Sequence, residues 1–297
     1  MIYLDRFELP SDGAELDYKA VLRPELDWDC YSGTGYPFGI FPQKAFETVE
    51  FVSPVTVFCG ENGSGKSTLL NVIAEKLCLP RATPFNKAPC FDDYVKLCRA
   101  HFNIPLPREG SAVVTSDSVF DFLLDSRAIN EGIESSRRAV FDSYAEKKDS
   151  LRDNGYKLRS LDDYDRFKEF HEIRRSGMAK YVKKRSEADI VMHSNGESAL
   201  EIFEHAIKER ALYLLDEPEN SLSASHQKEL ARYISDSARF YNCQFIISSH
   251  SPFMLSLPEA VVYDLDAYPV AVRRWSELAA MREYRQLFKE READFED

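Results

Sequence analysis

The chain has 297 residues, 44% apolar and 30% charged, with a formal net charge of −12. That length holds one large α/β domain with an insertion, or two small domains. The acidic balance excludes binding of nucleic acid by the whole surface and leaves only a local patch for it.

No run approaches 18 consecutive apolar residues, so no membrane-spanning helix is expected. The start, Met1 to Arg6, is expected to carry no signal peptide. The six cysteines are scattered without a C-x-x-C pair, which reads as reduced thiols in a cytoplasmic protein.

Residues 1–50, rich in aromatics, Gly and Pro, read as short strands and loops. Pro54 to Cys59 is a short β-branched apolar run, a buried strand. A Gly-rich turn follows, and then Ser67 to Leu77 carries apolar residues at helical spacing. Residues 79–110 hold five prolines and read as mostly irregular. Ala112 to Thr115 is a short strand.

Residues 118–190 contain no proline, many charges and helical apolar spacing, and so read as a helical insertion. From Arg152 to Arg185 there are 11 Lys/Arg and 6 Asp/Glu, a local +5. Such a stretch is either a solvated helical arm or a surface for a protein or nucleic-acid partner. Ala199–Glu209 and Ser225–Ser237 read as helices. Leu212–Asp216, Gln244–Ser248 and Ala260–Asp264 read as strands. The stretch from Trp275 reads as a charged helix. Strands alternating with helices predict an α/β fold with a mainly parallel sheet flanked by helices. Its expected extent is 1–117 with 191–297, interrupted by the insertion at 118–190.

Gly60-Glu61-Asn62-Gly63-Ser64-Gly65-Lys66-Ser67-Thr68 fits the phosphate-loop pattern G-x-x-x-x-G-K-[ST], between the required strand and helix. Glycines let the backbone approach phosphate oxygens, and the N–H groups at the helix start point at the anion. Lys66 adds charge at the β- and γ-phosphates, and Ser67 is placed to coordinate Mg²⁺. The strand Leu212–Leu215 then delivers Asp216 to the sheet edge where α/β folds bind ligands. Asp216 is expected to hold Mg²⁺, and Glu217 to polarise the attacking water. The expected cofactors are therefore ATP and Mg²⁺.

Together with His250 in Ser248-Ser249-His250-Ser251-Pro252, these motifs resemble the P-loop ATPases of ABC type. They are most similar to small stand-alone bacterial ATPases related to the heads of SMC-like DNA-repair proteins. His193-Ser194-Asn195-Gly196-Glu197-Ser198 resembles their short signature, and Leu214–Ser225 their acidic strand end with its Ser-rich turn. The likeness covers residues 36–78 and 190–265. It implies a nucleotide sandwiched between two heads, hence a homodimer on ATP binding. It also implies that Ser194 and Gly196 touch the γ-phosphate held by the partner, and that His250 senses that phosphate.

Two features depart from the family. No Gln lies between Lys66 and Ser194, and Asp117 is the nearest substitute that could reach the metal. Ser223 stands where an Asp usually couples the two sites. An aromatic among Tyr36, Phe38 and Phe41 could stack on adenine or belong to the core.

The reading these features favour is an ATP hydrolase that works on a protein or nucleic-acid partner, in DNA maintenance or phage defence by resemblance alone. The alternatives are the ATPase subunit of a membrane transporter, which the missing Gln disfavours, and an ATP-gated interaction module with little turnover, which Glu217 disfavours.

Overall fold

The structure is a computed structural model that describes residues 1–22, 35–117, 202–204, 206–220 and 222–295. By its contacts the chain divides into two units, Met1–Phe120 with Ser194–Asp297, and Asp121–His193. Every described residue belongs to the first. The expected helical insertion, its basic stretch 152–185 and the signature residues 193–198 lie outside the described residues, as do 199–201 and 205 of the expected helix Ala199–Glu209, of which 202–204 and 206 are helical.

The elements are, in chain order, β1 (Leu4–Glu8), α1 (Asp12–Asp17), β2 (Thr48–Glu50), β3 (Val55–Cys59), α2 (Lys66–Leu77), α3 (Phe91–Leu97), β4 (Arg99–Phe102) and β5 (Ala112–Thr115). After them come β6 (Leu212–Asp216), α4 (Ala224–Phe240), β7 (Gln244–Ser248), α5 (Pro252–Leu255), β8 (Ala260–Asp264), β9 (Ala271–Arg273) and α6 (Ala279–Glu290). A six-stranded sheet has the order β5-β6-β7-β3-β8-β9. All its pairings are parallel except that of β9 with β8. β3 and β7 are buried at every position. Their unbroken apolar runs follow from helices covering a parallel sheet, which leaves no solvent face to alternate with.

A second, antiparallel sheet has the order β2-β1-β4. Two side chains tie it to the first. Gln244 of β7, fully buried, accepts from the N–H groups of Tyr3 and Leu4 at 2.8 and 3.0 Å, and donates to the Leu4 carbonyl at 2.8 Å. The Tyr263 hydroxyl donates to the Glu50 carbonyl at 2.9 Å and accepts from the Glu50 N–H at 3.0 Å.

α2 buries Leu69, Leu70, Val72 and Ile73 in the main core. It ends where Cys78 turns left-handed at φ 52° and the Leu79 N–H returns to the Ala74 carbonyl at 3.0 Å, a helix-closing pattern. α4 starts at Ser223, whose hydroxyl accepts from the His226 N–H at 3.4 Å. A helix cap therefore occupies the position at which the resemblance leads one to expect Asp.

Local signals misled the reading in two places. Residues 1–50 contain α1, capped by Ser11, whose hydroxyl accepts from the Ala14 N–H at 3.3 Å. Residues 79–110 are more ordered than their prolines imply. The proline-free stretch 90–104 forms α3, which buries Phe91, Tyr94 and Val95 at i, i+3 and i+4, and then β4, which pairs with β1. Among the described residues no helix is long and apolar enough to cross a membrane.

Candidate functional site

β3 stops at Cys59 and the chain turns tightly through Gly60–Gly65 into α2, whose first residues complete the loop motif. A Cβ on Gly60 would fall 2.6 Å from the Ser64 hydroxyl oxygen, so the turn closes only with glycine there. Gly65 stands before α2 at φ 99°, a left-handed conformation that suits glycine. No side chain caps α2, and its first turn has no acidic residue. The helix dipole and the first N–H groups are therefore left for an anion.

Lys66, 4% exposed, donates from Nζ to the Gly60 carbonyl at 2.7 Å and the Glu61 carbonyl at 3.1 Å. The buried Ser64 hydroxyl has no protein partner. Glu61, Asn62 and Gly63 form the exposed rim, with the Glu61 N–H held by Asp266 at 2.7 Å. Thr68 is hydrogen-bonded through its hydroxyl to Tyr36.

β6 lies one strand beyond β7, which flanks β3. That order brings Asp216 to α2. The Ser67 hydroxyl donates to Asp216 Oδ1 at 3.0 Å, and the Ser248 hydroxyl at the end of β7 donates to the same oxygen. Burial pushes the Asp216 carboxyl above the ordinary carboxylate range, while the Ser248 and Ser67 hydroxyls oppose the shift. A buried carboxylate in that state is one a divalent cation would favour in its charged form.

The chain bends sharply at Glu217, which is left-handed at φ 46°, an uncommon conformation for a side chain of this size. Its N–H donates to the Ser248 carbonyl and hydroxyl, each at 3.1 Å. Its carboxylate accepts from Asn220 Nδ2 at 2.8 Å and lies 3.7 Å from His250 Nε2.

Ser67, Arg81, Asp117, Asp216, Glu217 and Asn220 line one cavity of about 430 Å³. Asp117, exposed at the end of β5, thus faces the same space as the Ser67–Asp216 pair. Arg81 belongs to none of the sequence motifs. An isolated bridge to Val113 brings it to the sheet. Its guanidinium donates to Asn71 Oδ1 at 2.8 Å and the Thr83 carbonyl at 2.7 Å, and stacks 4.5 Å over the Phe85 ring. A larger cavity of about 510 Å³, lined by Val272, Arg274 and Trp275 among others, contains none of the motif residues.

Of the three aromatics considered for adenine, Phe41 is fully buried and packs on Phe46 and Tyr94, so it belongs to the core. Phe38 stacks on Tyr18 at 5.2 Å and meets Tyr94 edge-on at 5.0 Å. Tyr36, 39% exposed, is the one facing outward beside the loop. Ser194 and Gly196 lie outside the described residues.

The AAA domain family matches residues 38–295. Among solved structures, the chain is similar to the Smc head domain of Pyrococcus furiosus, with an extended coiled coil and bound to the C-terminal domain of ScpA. That likeness has a TM-score of 0.42 at 12% identity and covers 97% of this chain and 100% of that one. It is also similar to the SMC head domain from Thermotoga maritima, with a TM-score of 0.37 at 14% identity over 92% and 99% of the two chains. A putative metal-chelate type ABC transporter in an inward-facing conformation gives 0.37 at 16% identity over 82% and 84%. No curated protein matches the sequence.

Proposed function

The chain belongs to the AAA domain family and has a P-loop ATPase fold, and on that premise we propose that it binds Mg-ATP and hydrolyses it at the cavity under the Gly60–Thr68 loop. The observation that carries this reading is the convergence of Ser67 and Asp216 at 3.0 Å with Glu217 on one cavity, and His250 lies 3.7 Å from the Glu217 carboxylate.

The donors fit the ion. Ser67 and Asp216 offer two oxygens, and Mg²⁺ takes its remaining ligands from phosphate and water rather than from an all-protein cage. Among the described residues no cluster of three His, Cys, Asp or Glu competes for it. Bound there, the cation would neutralise charge on the β- and γ-phosphates. Asp117 is close enough to the same cavity to contribute an oxygen directly or through water.

The remaining work falls to this chain's side chains. The N–H groups of residues 60–68 wrap the phosphates, and Lys66 leaves its carbonyl contacts for them. Glu217 accepts a proton from the attacking water, with Asn220 fixing one carboxylate oxygen. His250, 3.7 Å from the Glu217 carboxylate, donates toward the γ-phosphate. Tyr36 borders the adenine.

The active unit is a pair of chains, with Ser194 and Gly196 of one closing over the phosphate held by the other. Turnover drives a conformational change on a protein or nucleic-acid partner, for which the basic stretch 152–185 is the candidate contact.

Glu217→Gln tests the shared site. It should retain ATP and accumulate as a dimer in Mg-ATP, seen by light scattering. A monomer with and without Mg-ATP would rule out the sandwich.

A further inference from the structure

The turn that carries Glu217 and the loop that carries His250 are joined by a third acidic residue, which lies within the Leu214–Ser225 segment but has no part in the roles given to Asp216 and Glu217. Glu219 is 8% exposed. Its Oε1 accepts from the Ser249 hydroxyl at 2.8 Å, the His250 N–H at 2.6 Å and the Ser251 N–H at 3.1 Å. Its Oε2 is buried without a hydrogen-bond partner. Gln227, in the first turn of α4, completes the group. Its Nε2 donates to the Glu219 and Leu222 carbonyls at 3.4 and 3.1 Å, and its Oε1 accepts from the Ser251 hydroxyl at 2.8 Å.

A carboxylate is costly to bury, and this one directs every bond it makes to a single short loop. Hydrogen bonds to an ionised acceptor are the strong kind, and here two of them come from consecutive backbone amides. Removing the carboxylate would leave the His250 N–H without its partner, and the Ser251 N–H with only the Ser249 hydroxyl at 3.0 Å, which Glu219 itself anchors. The bonds therefore fix the backbone of His250 at a residue only two positions beyond Glu217. The imidazole, 3.7 Å from the Glu217 carboxylate, inherits that placement.

We infer that Glu219 is a positioning residue that locks the His250 loop to the turn carrying Glu217, so that the two move as one body. Its consequence for turnover rests on the proposed ATPase reading; the clamp itself does not.

The test uses the full chain and two readouts. In amide hydrogen exchange without nucleotide, Glu219→Ala should expose the His250 and Ser251 amides while Phe245–Ile247 in β7 stay protected. In steady-state assays the same variant should lower kcat by about tenfold or more and leave KM for ATP unchanged, as misplacement of a catalytic group does. Glu219→Gln keeps an oxygen for the same three donors and should restore both the protection and most of kcat.

Unchanged His250 and Ser251 exchange with wild-type kcat would overturn the inference. So would joint loss of β7 protection and ATP affinity, which would make Glu219 a packing residue only. A wild type that releases no phosphate would defeat the ATPase reading instead, and the exchange data alone would then decide the clamp.

Discussion

Glu15 shows how much a single buried group can weigh. It is 1% exposed, accepts from the Gly39 N–H at 2.7 Å, and lies 4.0 Å from Lys19. Burial pushes its carboxyl up to about 7; the Gly39 N–H and Lys19 oppose the rise and Asp12 adds to it. A folded-state value above the unfolded one means that the stability from the protonated form is complete below the unfolded value. It is lost as pH rises through about 7. Glu15→Gln should flatten that dependence and gain up to about 3 kcal/mol at about pH 8 while changing little at about pH 5. Urea midpoints at the two pH values check it, and a variant whose midpoint falls with pH as the wild type's does would refute it. At this scale the site was unevenly legible. Gly60–Thr68, Asp216 and Glu217 announce themselves because their tasks depend on contiguous residues. Ser248 and Glu219 do not, because each acts on a partner that only strand order brings near, and Arg81 does not, because a lone basic residue in a Pro-rich stretch carries no pattern.

The elements divide along the same line. β3, β6 and β7 are buried apolar runs, and their ends matched the reading closely. α4 runs Ala224–Phe240 where Ser225–Ser237 was expected, the usual disagreement at helix ends. β1, β2, β4 and β9 are three to five residues long; short strands were expected within 1–50 without their bounds, and β4 and β9 carry too few residues for a local pattern to mark them. The Gln244 side chain makes one such long-range dependence measurable. Gln244→Leu would strand the buried N–H groups of Tyr3 and Leu4 and should cost about 2–4 kcal/mol of stability. A denaturant midpoint within error of wild type would show that the small sheet is held by packing alone.

At the scale of the molecule, the six-stranded order sets the chemistry. Placing β7 between β3 and β6 puts Ser248 between the phosphate loop and the acidic strand end, so that Ser67, Asp216 and Ser248 share one oxygen. The mainly parallel sheet flanked by helices was readable from the alternation of apolar runs and amphipathic stretches. The proposed partner and sandwich contacts fall on residues 118–201, outside the described residues. The central claim concerns the cavity itself, and steady-state phosphate release in Mg-ATP tests it most directly. Wild type should release phosphate above a Lys66→Ala control, and Glu217→Gln should bind ATP yet fall by about 10²–10⁴-fold toward that control. Release from wild type no greater than from Lys66→Ala, or full release from Glu217→Gln, would contradict the account.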